Sequence, residues 1–153
     1  MEINASWSSP IKLRVDKTKN LIYDIYLDGI PSSSGCYLFY NLHGKSYSCL
    51  YIGKADDLRI RIGQQLNNLK LMMGIKKNLN GNKFLIYCTI KPNKGQQLKK
   101  ALRILENNLI KTALSNGNEL LNIQGTKRKY DSIIFNGNRD SIKLIGRKIT
   151  VHK

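Results

Sequence analysis

The run Gly35-Cys36-Tyr37-Leu38-Phe39-Tyr40 and the string Ser48-Cys49-Leu50-Tyr51-Ile52-Gly53-Lys54-Ala55 decide how this chain folds. Both are rich in residues that suit a pleated, half-buried surface, and they predict strands over 36–40 and 48–53. Asn41-Leu42-His43-Gly44-Lys45 between them carries turn residues, so the pair is expected as a hairpin whose loop is longer than the tightest type. In strands, Tyr37 and Tyr51 can lie side by side on one sheet face.

Outward from the hairpin, Asp56 is placed to cap a helix, with Asp57 favourable in its first turn. Leu58, Ile62, Leu66 and Leu69 then recur at spacings of three and four, which puts them on one apolar face. Asn78-Leu79-Asn80-Gly81-Asn82 predicts a turn, and Lys83 to Ile90 a third strand ended by Pro92 and Gly95. A second helix is expected from about Gln96 to Ser115, with Leu98, Leu102, Leu105, Leu109 and Ala113 on one stripe. Upstream, strands are expected at 11–15 and 21–27, followed by a loop over 29–35. Downstream, Ile133 to Phe135 and Ile142 to Ile145 suggest a terminal hairpin. The fold class is therefore α+β, a small sheet packed with helices in the order β-β-α-β-α, with β-rich additions at both ends.

At 153 residues one domain is the default, and a 41% hydrophobic content predicts a folded core. No apolar run approaches the roughly 18 to 20 residues of a membrane span, and Met1-Glu2-Ile3-Asn4 does not begin as a secretory signal does. Cys36, Cys49 and Cys88 are odd in number and form no C-x-x-C. They sit among apolar neighbours as buried thiols do, so the expected compartment is reducing and cytoplasmic. The 26 Lys and Arg against 10 Asp and Glu leave a formal charge of +16. That field attracts polyanions, and without a strongly amphipathic helix to favour a membrane surface it points to nucleic acid.

Gly35-Cys36-Tyr37, Tyr51-Ile52-Gly53-Lys54-Ala55, Leu58-Arg59-Ile60-Arg61, Glu106 in the second helix and Asn122 in Leu120-Leu121-Asn122 follow one another in a set order. Taken singly, each has an ordinary reading: tyrosines packing in a sheet, a solvated basic face, a surface glutamate, a turn asparagine. Jointly they resemble the GIY-YIG nuclease family over roughly residues 29 to 124, with 1–28 and 125–153 as N-terminal and basic C-terminal extensions of a single domain, 1–153. The resemblance implies a DNA endonuclease using one Mg²⁺ (or Mn²⁺). It assigns Glu106 as the metal ligand, Arg61 to charge developing on the phosphate, Tyr51 as general base supported by Tyr37, and Lys54 and Asn122 as further members of the catalytic set. A hard carboxylate oxygen suits a cation that keeps water and phosphate ligands, and a guanidinium suits phosphate oxygens. Two departures stand out. Gln65 occupies a position where many members place His or Tyr, and 13 residues separate the two tyrosines, a longer spacing than usual.

Arg59, Gln65, Lys76, Lys77, Lys127, Arg128 and Lys129 are expected on DNA: Arg59 as a phosphate contact, Lys76 and Lys77 from an insertion expected at Asn67 to Asn82, and Lys127, Arg128 and Lys129 from the basic tail. The expected partner is duplex DNA, with no membrane. A double-strand break by a one-strand site requires a homodimer or two successive events. A restriction or defence role is the leading expectation. Its rivals are a structure-specific repair or recombination nickase acting with a partner, and a lapsed nuclease that only binds DNA.

Overall fold

Two long strands meet across a two-residue turn, Gly44-Lys45. The computed structural model describes residues 2–18, 20–78, 80–123, 130–136 and 138–152. Its first elements are β1 (Asn4–Trp7), β2 (Ile11–Lys12), β3 (Arg14–Val15) and β4 (Tyr23–Asp24), then a 3-10 turn at Leu27–Gly29. The hairpin is β5 (Gly35–His43) and β6 (Ser46–Ala55), followed by α1 (Leu58–Leu66), α2 (Leu69–Lys77), β7 (Asn82–Lys91) and α3 (Leu98–Ser115). A 3-10 turn at Leu121–Ile123 precedes β8 (Tyr130–Ile134), α4 (Arg139–Ile145) and β9 (Lys148–His152). The chain divides between Asn122 and Ile123 into two compact units.

In the first unit the antiparallel sheet runs β1-β7-β5-β6, with β2 also pairing β7. The expected long hairpin loop is absent because Asn41, Leu42 and His43 continue the ladder. Asn41 looks like a turn residue but is buried and satisfied. It accepts from Lys83 Nζ at 2.6 Å and donates to the Asn80 carbonyl at 3.1 Å. Gly44 closes the turn at φ 60°, where side chains are rarely found.

Pairing out from that turn would set Tyr51 opposite Leu38, on the sheet face away from Tyr37. The register shifts instead between Phe39 and Tyr40, where Leu50 is an extra residue in β6. Tyr51 is then opposite Phe39, and Gly53 opposite Tyr37. A one-residue slip reverses every side chain beyond it, so this bulge is what brings both tyrosines to one face.

That face packs Tyr37, Phe39 and Leu85 on Leu58, Ile62 and Leu66 of α1 and Leu71, Met72 and Ile75 of α2. The opposite face packs Cys36, Cys88 and Ile90 on Ala101 and Leu102 of α3. Cys36 and Cys88 are cross-strand partners, both fully buried, and all three cysteines are free thiols. Gly35 lies where β5 passes closest to β7: a Cβ there would stand 2.0 Å from the Cys88 carbonyl oxygen.

Several boundaries differ from expectation for local reasons. Asp57, not Asp56, caps α1, accepting from Ile60 N at 3.0 Å. Leu69 belongs not to the α1 stripe but to α2, because Asn68 caps a new helix by accepting from Leu71 N. The segment expected as an Asn67–Asn82 insertion is therefore largely helical. In the second unit β8 and β9 pair antiparallel, from Tyr130↔His152 to Ile134↔Lys148. The 142–145 patch, expected as a strand, is helix instead: Asn138 caps α4 through Ser141 N, and Gly146 at φ 90° ends it. Among the described residues no helix is long and apolar enough to cross a membrane.

Gly35→Ala is expected to lower the unfolding free energy by about 3 kcal/mol, since the added methyl meets backbone that cannot swing aside. Urea unfolding followed by circular dichroism measures it.

Candidate active site

β6 is the edge strand, and the cavity wraps around that edge. It has a volume of about 540 Å³, and Tyr37, Tyr51, Arg61, Lys54, Glu106 and Lys99 are among its lining residues. Tyr37 and Tyr51 come from the α1/α2 face, and Arg61 from α1. Lys54 alternates to the other face, where Glu106 projects from α3. Gly53 lies between the two sets and opens the way past the edge. A Cβ at this position would stand 2.5 Å from the Tyr37 hydroxyl, so a side chain here would collide with the tyrosine.

The tyrosine rings stack with centroids 6.1 Å apart. Gln65 Nε2 donates to both hydroxyls, at 2.8 Å to Tyr37 and 3.1 Å to Tyr51, while Asn68 Nδ2 donates to Gln65 Oε1 at 3.3 Å. Gln65, at 5% exposure, is thus withdrawn from any DNA surface, which corrects its assignment as a DNA contact. Its amide replaces an imidazole or phenol with a donor that never titrates, and so holds both hydroxyls as acceptors. Burial pushes the Tyr37 phenol up to about 12. The Gln65 hydrogen bond and the Arg61 guanidinium pull it down without cancelling that effect.

Across the edge, Lys54 Nζ donates to Glu106 Oε2 as a salt bridge. Glu106 Oε1 has no hydrogen-bond partner among the described residues. No cluster of three or more His, Cys, Asp or Glu is found among them either. A single, partly exposed carboxylate facing a polar cavity fits a hard cation that keeps water and phosphate as its other ligands, as Mg²⁺ or Mn²⁺ does; it does not fit a zinc cage.

Asn122 does not reach into the cavity. Its Nδ2 donates to the Ile52 carbonyl at 2.9 Å, and Asn118 Oδ1 accepts from Cys49 N at 2.8 Å. The two asparagines thereby satisfy the open edge of β6 on either side of Tyr51. Arg59, expected on phosphate, is turned to the backbone: its Nε and Nη2 donate to the carbonyls of Ile30 and Asp28 at 2.7 and 3.2 Å. That anchors the chain entering β5. Lys76 and Lys77 are exposed in the last turn of α2 and do not line the cavity. Lys127, Arg128 and Lys129 lie outside the described residues. Asp56 and Lys99 line the cavity without having been singled out for it. The signal for Lys99 was its spacing of seven, two helical turns, ahead of Glu106.

The raised Tyr37 pKa has a definite consequence. Below about pH 10, the ordinary tyrosine value, folded and unfolded chains both keep the proton and stability does not respond. Between about 10 and about 12 only the folded chain keeps it, so stability falls as pH rises, and the loss levels off above the folded value. Absorbance titration near 295 nm should show a tyrosine ionising at about 12. That component should vanish in Tyr37→Phe and move higher in Gln65→Leu.

Residues 33–119 match the family model of the GIY-YIG catalytic domain. Over 125 residues, 80% of this chain, the sequence is 30% identical to the UvrABC system protein C of Mycoplasma mycoides subsp. mycoides SC. The matched region is 19% of that protein, so the chain spans only a small part of the relative's length. No solved structure matches the chain.

Proposed function

The chain belongs to the GIY-YIG nuclease family, whose members are endonucleases, and we propose that it hydrolyses DNA phosphodiester bonds with a tyrosine-activated water and one divalent cation, in a restriction or defence role. The observation that carries this reading is the meeting of Tyr51, Arg61, Lys54 and Glu106 in one cavity around the β6 edge. Tyr51 is the general base. It is the less buried of the two tyrosines, whereas Tyr37 is closed off in the core beneath α1 and α2. As the phenolate, Tyr51 would take the proton of the attacking water and become the phenol, with Gln65 Nε2 donating to its oxygen. Arg61 offers a permanent charge to the non-bridging oxygens as the phosphate becomes more negative. Glu106 would hold Mg²⁺ or Mn²⁺, which when bound polarises the phosphate and stabilises the leaving 3′ oxygen. Lys54 keeps the Glu106 carboxylate oriented and compensated. Asn122 fixes the backbone at Ile52, between the base and Gly53.

The three free thiols suit a cytoplasmic setting. One such site cuts one strand, so cleavage of both strands would take a homodimer or two successive events. The likeness to UvrABC system protein C favours a second setting, structure-specific nicking beside partner subunits in repair or recombination.

Incubation with supercoiled plasmid and with branched synthetic DNA, in Mg²⁺ or EDTA, separates the two. Discrete Mg²⁺-dependent fragments support restriction, cutting of branched DNA alone supports the second setting, and failure to cut either counts against the activity. Glu106→Gln and Arg61→Ala should each slow cleavage by about 10²- to 10³-fold. Affinity should stay within about twofold, because both residues act where charge develops and ground-state attraction comes from other Lys and Arg. Tyr51→Phe should cost about 10²-fold or more and exceed Tyr37→Phe.

A further inference from the structure

Three cations line the cavity, and two of them are engaged. Lys54 is the counter-ion of Glu106, while Arg61 Nη1 donates to Gln64 Oε1 at 3.3 Å and its guanidinium acts on the Tyr37 hydroxyl. The third, Lys99, is exposed and has neither hydrogen bond nor ion pair among the described residues. The first turn of α3 contains no acidic residue to compensate it. Glu106 follows Lys99 by seven positions, which returns the helix to within about 20° of the same face and about 10 Å along its axis. DNA rises about 3.4 Å per nucleotide along the duplex axis, so an offset of that length spans at most roughly three nucleotides.

We infer that Lys99 is a phosphate-binding residue, holding the backbone of the cleaved strand within about three nucleotides of the scissile bond. The inference rests on the DNA endonuclease reading and extends it to how substrate is seated. An ammonium lacking a counter-ion gains one on binding and gives up little, whereas Lys54 would have to leave Glu106 to do the same. Lys99 thus supplies ground-state attraction, and Arg61 acts where charge develops.

The test uses the full chain in the Glu106→Gln background, where binding is read without cutting. Fluorescence anisotropy of a labelled duplex is followed from about 50 to 200 mM salt. Lys99→Gln should make the slope of log K against log salt shallower by about 0.9 and weaken binding about fivefold near physiological salt. Lys99→Arg should keep both. Lys111→Gln, near the other end of α3 and outside the cavity lining, should change neither. A neutral methylphosphonate at one position near the cut should weaken the parent but leave Lys99→Gln unaffected. In the cleaving chain, Lys99→Gln should raise KM about fivefold while moving kcat far less. An unchanged slope, an equal effect from Lys111→Gln, or loss of kcat without a KM change would overturn the assignment. Absence of cutting by the parent chain would instead count against the endonuclease reading, since the slope in the Glu106→Gln background does not depend on it.

Discussion

Leu50 is one residue more than β6 needs to pair with β5, and the active site depends on how the sheet accommodates it. A two-residue turn at Gly44-Lys45 fixes the pairing from the tip, and with no bulge that register sends Tyr51 to the wrong face. Burying Leu50, at 1% exposure, stabilises the bulge by roughly 1.5 to 3 kcal/mol of apolar transfer. From there the ladder resumes with Tyr51 beside Phe39 and a glycine opposite Tyr37. The longer spacing between the tyrosines is therefore taken up inside the strands, by longer pairing and a bulge, and no flexible loop is needed.

A second constraint is the division of the catalytic set by the sheet itself. Tyr37 and Tyr51 lie on one face, Lys54 and Glu106 on the other, and they share a cavity only because β6 is an edge strand with Gly53 at the crossing point. An open edge invites pairing with another chain. Here Asn118 and Asn122 occupy its polar groups, which protects the edge and holds the strand that bears Tyr51. The Lys54–Glu106 pair is half open to water on the lysine side, so its contribution to stability is small, about 0 to 1 kcal/mol. Its importance is that it orients the carboxylate before substrate arrives.

Among the described residues, buried polar side chains gather at two places. Gln65 ties both tyrosine hydroxyls to α1. Lys83 ties the turn after α2 to the sheet through Asn41 Oδ1 and the Asn78 carbonyl, and burial pulls its pKa down. Removing one partner of such a group leaves the other buried without its bond, at a cost of about 1 to 3 kcal/mol. Both groups join the sheet to its helical cover, one at the site and one at the far end of the hairpin.

Residue type and order alone determined the α+β class, the two strands with their tyrosines, the third strand, the long helix carrying Glu106, and the family. These rest on alternation, on helical periodicity and on a motif spread over fixed positions, all local or one-dimensional properties. The sequence could not show the hairpin's register, because Asn41, Leu42 and His43 read as part of a turn, whereas in the fold they pair with Ser48, Tyr47 and Ser46 and Lys83 satisfies the buried Asn41. Nor could it separate α1 from α2, since Leu69 fits the stripe of one helix as well as the start of another. Gln65 and Arg59 were taken for surface contacts on type. Whether a polar side chain meets water or a buried partner depends on residues distant in sequence: Tyr37 for one, the carbonyls of Asp28 and Ile30 for the other. Tertiary structure alone decided that Lys54 is paired and that Lys99, among the described residues, is not, because charge is read from the sequence but its compensation depends on which side chains meet in space.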